Sequence, residues 1–124
     1  VDKIREEKRR VFKRYRKNLE FVDGIRVQEI EEGTEHSCWM FGAWFDDLES
    51  YDSAKNYFQA LGIDTRPMFY PHTSHTHLDL KGETSSSKIV NKKVVVFPSY
   101  PDLTNEQVDY ICEKIKNFKD LKCS

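Results

Sequence analysis

The segment 103–118, LTNEQVDYICEKIKNF, constrains the fold more than any other part of the sequence. Thr104 and Gln107 form a capping box, which predicts where a helix begins. Leu103 precedes the cap and is placed to contact Val108 as a hydrophobic staple. The apolar residues recur at helical spacing on one side: Val108, Ile111, Cys112, Ile115 and Phe118. A helix with one apolar face needs a second layer to pack against.

Two further helices are predicted upstream. The first covers residues 1–19, with an apolar stripe made of Val1, Ile4, Val11, Tyr15 and Leu19. It has no capping residue ahead of Val1, which leads us to expect that the chain continues upstream in its parent protein. The second lies within residues 50–62, with Gly62 as its C-terminal cap. Its apolar face consists of Ala54, Tyr57, Phe58 and Leu61.

Four short segments between and after these helices read as strands. Asp23-Gly24 is a turn signal ahead of Ile25 and Val27, and the run VVVFP is β-branched and bounded by proline. SCWMFGAWF reads as a buried strand whose paired aromatics enter the core, with Gly42 marking a bulge or a close approach. Residues 63–68 form a fourth strand, which Pro67 makes short or places at an edge. The order predicts an α+β fold, in which helices pack on one face of a small, mostly antiparallel sheet.

Composition and charge narrow the class of protein. Charged residues make up 33% of the 124 residues, and no apolar run reaches the ~18 residues of a membrane helix. Residues 1–18 hold nine Lys and Arg against three Asp and Glu, whereas the rest of the chain is acidic. A basic helix is compatible with nucleic acid or an acidic membrane, but a solvated face or contact with an acidic protein surface is favoured. Neither nucleic acid nor membrane is therefore an expected partner.

The three cysteines do not form a recognisable framework. Cys38, Cys112 and Cys123 are an odd number without CxxC spacing, which argues against a disulfide scaffold and a zinc ribbon. Reduced thiols in a cytoplasmic protein are the simplest interpretation, with Cys112 in the core and Cys123 exposed. Cys38 with a histidine is a possible nucleophile pair, but no nucleophile elbow accompanies it. Phosphate-binding loops of the GxGxxG and GxxxxGK[ST] kinds are absent from the sequence.

The segment 66–77, RPMFYPHTSHTH, is the main candidate for a functional site. Three interpretations are open. A metal could be held by imidazoles, and the residues concerned are His72, His75 and His77, with Asp79 close behind. Alternatively, the fork of Arg66 and the hydroxyl of Tyr70 could bind an anion or a sugar. The third interpretation is a turn fixed by proline with solvated histidines.

Several motifs together resemble a known family. GIDTRPMFYP followed by histidines, and VVVFPSYPDLTNEQVDYICEKIKNF, are similar to the C-terminal domain of the DegT-type sugar-nucleotide aminotransferases. The form of the first motif is most similar to enzymes that aminate a 4-keto sugar nucleotide, the GDP-perosamine synthases among them. RRVFKRYRKNL resembles the long helix leading into that domain, and HSCWMFGAWF resembles its first core strand. Phe97 stands where the family usually has leucine.

The resemblance implies an enzyme dependent on pyridoxal phosphate that moves an amino group from glutamate to a keto sugar nucleotide in polysaccharide biosynthesis. Residues 1–124 would be its small C-terminal domain, with the Schiff-base lysine and most cofactor contacts in a large domain absent from this chain. The chain alone is then expected to be inactive and to hold no catalytic residue. The positions carried over as substrate-binding residues are Arg66, Tyr70, His72, His75 and His77. The intact enzyme would be a cytoplasmic homodimer.

Two alternatives belong to other classes of protein. A standalone, non-catalytic module could bind a sugar nucleotide or cap a partner aminotransferase subunit. A metal-binding protein could use His72, His75 and His77, and would then retain stoichiometric zinc or copper after dialysis.

Overall fold

A computed structural model describes residues 2–27, 40–67 and 92–123. The helices are α1 (Asp2–Leu19), α2 (Tyr51–Ala60) and α3 (Asn105–Cys123). The strands are β1 (Ile25–Val27), β2 (Phe41–Phe45), β3 (Arg66–Pro67) and β4 (Val94–Phe97). This order of elements is the one that the sequence predicts.

The four strands form one antiparallel sheet in the order β1-β2-β4-β3. Side chains alternate between the two faces of a strand, and directly paired residues share a face. Phe41, Ala43 and Phe45 of β2 are buried on one face, whereas Gly42 and Trp44 lie on the other. Because paired residues share a face, the register extends this alternation to the other strands. The face with Phe41, Ala43 and Phe45 is covered by the helices, and the face with Gly42 and Trp44 is the second face of the sheet.

All three helices pack on the same face of the sheet. Tyr15 of α1 stacks on Phe41 with ring centroids 4.2 Å apart. Phe118 of α3 meets Phe45 edge-on at 5.5 Å, and Phe58 of α2 contacts Phe97 at 5.0 Å. Edge-on and offset aromatic pairs add to the stability that area burial provides. The predicted α+β layer with helices on one face is confirmed.

The N-terminus of α3 has the predicted capping box. The backbone N–H of Gln107 donates to the Thr104 hydroxyl at 3.1 Å, and the Gln107 side chain accepts from the backbone N–H of Thr104 at 2.9 Å. Leu103 and Val108, the predicted staple pair, are both buried in the core. The predicted apolar stripe is also buried throughout: Val108, Ile111, Cys112, Ile115 and Phe118.

Two expectations about the first half of the chain are wrong. Ile4 is 56% exposed, because residues 3–6 of α1 are exposed and burial is complete only from Val11 onward. Phe12, which the predicted stripe omits, is buried in its place. Of the two interpretations of Gly42, the bulge is wrong, because Gly42 pairs with Val96 in an unbroken run of the β2–β4 ladder.

Helix α2 ends as the sequence predicts and leads directly to β3. Gly62 has a φ of +77°, the left-handed conformation that glycine adopts without a steric penalty. Its N–H donates to the Gln59 carbonyl at 3.1 Å, and the N–H of Ile63 donates to the Phe58 carbonyl at 2.9 Å. Pro67 then lies in the edge strand, where its missing N–H breaks no internal ladder.

Polar side chains fasten α1 to the start of α3. The Arg10 guanidinium donates to the Asn105 side chain at 2.7 Å and to the Leu103 and Pro101 carbonyls at 2.7 and 3.2 Å. Arg14 donates two bonds to the Asp109 carboxylate, at 2.8 and 2.6 Å. This part of the basic helix therefore meets acceptors of the chain's own C-terminal helix.

Candidate functional site

Arg66 is the member of the predicted substrate-binding set that lies within the described residues. It begins β3 and pairs with Val96, which in turn pairs with Gly42. Paired residues share a face, so Arg66 belongs to the face of the sheet opposite the helices. Its side chain is 76% exposed and reaches Asp64 at 3.4 Å. An exposed pair of this kind is weak, so the guanidinium is available to a ligand.

The turn before β3 explains why Arg66 faces outward. Thr65 is buried, and its hydroxyl lies 3.0 Å from the hydroxyl of Tyr51 at the start of α2. Alternation along the strand then directs residue 65 toward the helices and residue 66 away from them. Because the connection from Gly62 to β3 is short, the chain has little freedom to reverse which of these two residues points toward the helices. Local packing of α2 therefore sets the direction of the candidate ligand-binding arginine.

A second cluster on the same face was not predicted. The indole N–H of Trp44 donates to the Asp46 carboxylate at 2.7 Å, and Arg26 pairs with that carboxylate at 3.2 Å. The Arg26 guanidinium carbon also lies 5.7 Å from the centre of the Trp44 ring. The sequence interpretation placed Trp44 in an aromatic core with Phe41 and Phe45. Successive side chains of a strand point to opposite faces, so in FGAWF the ring of Trp44 lies on the face opposite Phe41 and Phe45. That alternation could have predicted its position from the sequence.

Cys112 has the structural role that its position on the apolar stripe indicates. It is 1% exposed, and burial raises the pKa of its thiol to about 11. A thiol with a raised pKa holds little thiolate at neutral pH and is a poor nucleophile. Cys38, the other sulfur considered for catalysis, lies outside the described residues, and so does Trp39. Cys112 therefore has a core role and not a catalytic one.

The remaining residues of the candidate loop lie outside the described residues: Tyr70, His72, His75, His77 and Asp79. Within residues 2–27, 40–67 and 92–123, no group of three His, Cys, Asp or Glu side chains is placed to hold a metal ion. The metal interpretation of the histidines is thus untested, as are the sugar and turn interpretations of their side chains.

The basic helix forms a shallow groove with the start of α3. Its lining includes Arg9, Lys13, Lys17 and Asn105. Arg10 and Arg14 also line the groove, but their guanidinium groups already bind acceptors of the chain. Among the described helices, none combines the length and apolar character that crossing a bilayer requires.

Solved structures with the same fold are aminotransferases. The aminotransferase TlmJ from Streptoalloteichus hindustanus superposes with a TM-score of 0.81 at 17% identity, covering 91% of this chain and 31% of that one. The sugar aminotransferase CalS13 from Micromonospora echinospora superposes with a TM-score of 0.75 at 22% identity, covering 94% of this chain and 31% of that one. At these identities the likeness establishes the fold.

Sequence comparison identifies the family. The pattern of the DegT/DnrJ/EryC1/StrS aminotransferase family matches residues 1–116, so the chain belongs to this family. GDP-perosamine synthase from Escherichia coli O157:H7 is 30% identical over 112 residues, which are 90% of this chain and 30% of that enzyme. GDP-perosamine synthase from Vibrio cholerae is 33% identical over 123 residues, 95% of this chain and 33% of that enzyme. The resemblance read from the sequence motifs is confirmed, and the chain spans about a third of the length of these relatives.

Neither Lys93 nor the lysines that line the groove on α1 fit a site for pyridoxal phosphate, on which this family generally depends. A site for that cofactor needs a lysine free to form a Schiff base and groups that hold the phosphate. Lys93 lies at the end of the sheet, but its ammonium donates to the backbone carbonyls of Asp46 and Leu48 at 2.5 and 3.4 Å. Lys13 and Lys17 line the shallow groove on α1, away from the sheet. No catalytic step is therefore assigned to these residues.

Proposed function

We propose that this chain is the small C-terminal domain of an aminotransferase that transfers an amino group from glutamate to a keto sugar nucleotide. The observation that carries the proposal is the match to two GDP-perosamine synthases along 90% and 95% of this chain. Those relatives are about three times as long, which leaves room for a cofactor-binding domain elsewhere in the polypeptide.

The role proposed for this domain is to help bind the sugar nucleotide. Arg66 is exposed and faces away from the helices, and its side-chain partner among the described residues is Asp64, at 3.4 Å. Its planar fork suits the phosphate oxygens of a nucleotide sugar. By resemblance, the residues that follow it complete this wall of the site: Tyr70, His72, His75 and His77.

The cofactor, the oligomeric state and the location of the intact enzyme are also part of this proposal. Pyridoxal phosphate, held by the remainder of the polypeptide, supplies the electron sink that amino transfer needs. We also infer that the intact enzyme is a homodimer in the cytoplasm. This chain by itself is inactive.

The test uses the complete polypeptide encoded with these residues. Its reading frame should contain a lysine whose replacement abolishes amino transfer. Arg66→Ala should raise KM for the sugar nucleotide roughly tenfold or more, as expected for losing a charged hydrogen bond, and leave KM for glutamate nearly unchanged. Arg66→Lys, which keeps the charge but loses the fork, should fall between the two. Equal effects on both substrates would refute the assignment of Arg66.

A further inference from the structure

Strand β3, which begins with Arg66, is weakly held by the sheet. It consists of Arg66 and Pro67, pairs with β4, and lies at the edge of the four-stranded sheet. Pro67 has no backbone N–H to donate to that ladder. A two-residue edge strand that lacks one donor fixes the direction of a side chain poorly. The position of the Arg66 guanidinium therefore depends on a second contact outside the ladder.

That second contact is made by the hydroxyl groups of Tyr51 and Thr65, whose oxygens lie 3.0 Å apart. Thr65 directly precedes Arg66 and is 8% exposed. Extending the β3–β4 register by one residue places Thr65 opposite Phe97, on the face that the helices cover. Because the Thr65 side chain is buried and bonded on that face, the next side chain points to the second face. The hydroxyl pair thus ties the direction of Arg66 to α2.

The hydroxyl of Tyr51 is itself held in a fixed place. Tyr51 is the first residue of α2, and its ring packs against the hydrophobic core. Leu48, three residues before it, is 1% exposed. The Lys93 ammonium donates to the carbonyls of Asp46 and Leu48 at 2.5 and 3.4 Å, which fastens the segment that enters α2 to the start of β4. Thr65 therefore bonds to a partner with little freedom to move.

Loss of the Tyr51 hydroxyl would act on Arg66 through the backbone. Each hydroxyl of the pair both donates and accepts, so removing one leaves the other without this bond. A buried hydroxyl that has lost its partner is unfavourable, so residue 65 is expected to turn toward water. Arg66 follows directly in the chain, and its guanidinium would then leave the direction that the alternation of the strand gives it.

We propose that Tyr51 is a positioning residue for the sugar nucleotide, acting through Thr65 to hold Arg66 toward the phosphate groups. The inference rests on the proposed function, because it concerns the same arginine and the same substrate. Tyr51 lies on the helix-covered side of the sheet, opposite to Arg66, and so acts without touching the substrate.

The test is steady-state kinetics of the complete polypeptide encoded with these residues. Tyr51→Phe keeps the ring and removes the hydroxyl. It should raise KM for the sugar nucleotide about threefold to tenfold, and should change kcat and KM for glutamate less than about twofold. Thr65→Val should give the same increase, whereas Thr65→Ser keeps a hydroxyl and should restore most of the wild-type KM. In the Arg66→Ala background Tyr51→Phe should add nothing, because its effect passes through that guanidinium.

Tyr57→Phe is the matched control for Tyr51→Phe. It removes a hydroxyl from the same helix and keeps the ring that contacts Phe58 and Phe118, so both KM values should stay unchanged. If Tyr51→Phe does not fold, as judged by urea unfolding, Thr65→Val and Thr65→Ser provide the same comparison.

Two outcomes would overturn this inference and leave the proposed function standing. The first is an unchanged KM for the sugar nucleotide in Tyr51→Phe while Arg66→Ala raises it. The second is an increase of equal size in the wild-type and Arg66→Ala backgrounds, which would show an effect on the fold that does not pass through Arg66. If Arg66→Ala leaves that KM unchanged, the proposed role of Arg66 falls, and the positioning role of Tyr51 falls with it.

Discussion

Replacing Tyr15 by phenylalanine isolates one buried hydrogen bond between α1 and the segment that follows β4. The ring of Tyr15 is fully buried and stacks on Phe41, and its hydroxyl donates to the Pro98 carbonyl at 2.7 Å. Tyr15→Phe keeps the ring and leaves the Pro98 carbonyl without its donor. Removing one partner of a buried bond costs about 1–3 kcal/mol, so we expect the free energy of unfolding to fall by about 1–2 kcal/mol at pH 7.

The pH dependence of this difference has a definite sign. Burial raises the pKa of Tyr15 far above its usual value of 10.0. Its contribution is therefore complete below pH 10 and is lost as pH rises, because only the unfolded state then releases the proton. The loss is about 1.4 kcal/mol per pH unit. The phenylalanine variant has no hydroxyl to ionise at this position, so its stability does not change for this reason. The stability advantage of the wild type over the variant should therefore vanish near pH ~11.

Urea unfolding followed by circular dichroism at pH 7, 9, 10 and 11 measures both effects. The Cys112 thiol, whose pKa is raised to about 11, is present in both proteins, so its titration cancels in the comparison. Tyr110→Phe is the control at pH 7, because its hydroxyl bond to Leu61 is long, 3.3 Å, and exposed; we expect a change below ~0.5 kcal/mol. An unchanged midpoint for Tyr15→Phe at pH 7, or parallel alkaline curves, would refute the reasoning.

Three further substitutions test other contacts by urea or thermal unfolding. Hydrogen bonds from Arg14 and Asn18 hold the pKa of Asp109 at about 2, below its usual 3.8, so its stabilisation is present above pH ~4 and lost as pH falls toward 2. Asp109→Asn should lower Tm by about 2–4 °C at pH 7, and the difference should close between pH 4 and 2; a constant difference would count against the ion pair. Thr104→Ala should cost about 1 kcal/mol through loss of the cap, and Thr104→Ser should restore most of it. Gly62→Ala should cost about 1 kcal/mol by backbone strain alone, because an added Cβ meets nothing within 4 Å; an unchanged midpoint would contradict this.

The parts of the fold that the sequence predicted well are those determined by nearby residues. The α3 cap depends on Thr104 and Gln107, three positions apart, and its stripe depends on helical spacing alone. The left-handed turn at Gly62 is equally local. Such features can be predicted because the groups that interact are close in the chain. The family resemblance used the same kind of local motif.

The features that were missed depend on contacts between distant residues. The exposure of Ile4 depends on how far α3 and the sheet extend beneath α1, which helical periodicity does not contain. The face on which Arg66 lies follows from its register with Val96 on β4. The contacts of Trp44 with Arg26 likewise require the β1–β2 pairing. Sequence motifs singled out Arg66 as a candidate, but strand pairing was needed to show which face of the sheet it lies on.

The bonds of Arg10 also fix the point along α1 at which the helix becomes tied to the rest of the domain. Residues 3–6 of α1 are exposed, and Arg10 is anchored to the turn that opens α3. The exposed first turn can therefore fray without disturbing the helix beyond Arg10. Arg10→Ala would let that fraying extend toward Val11, where the complete burial of α1 begins.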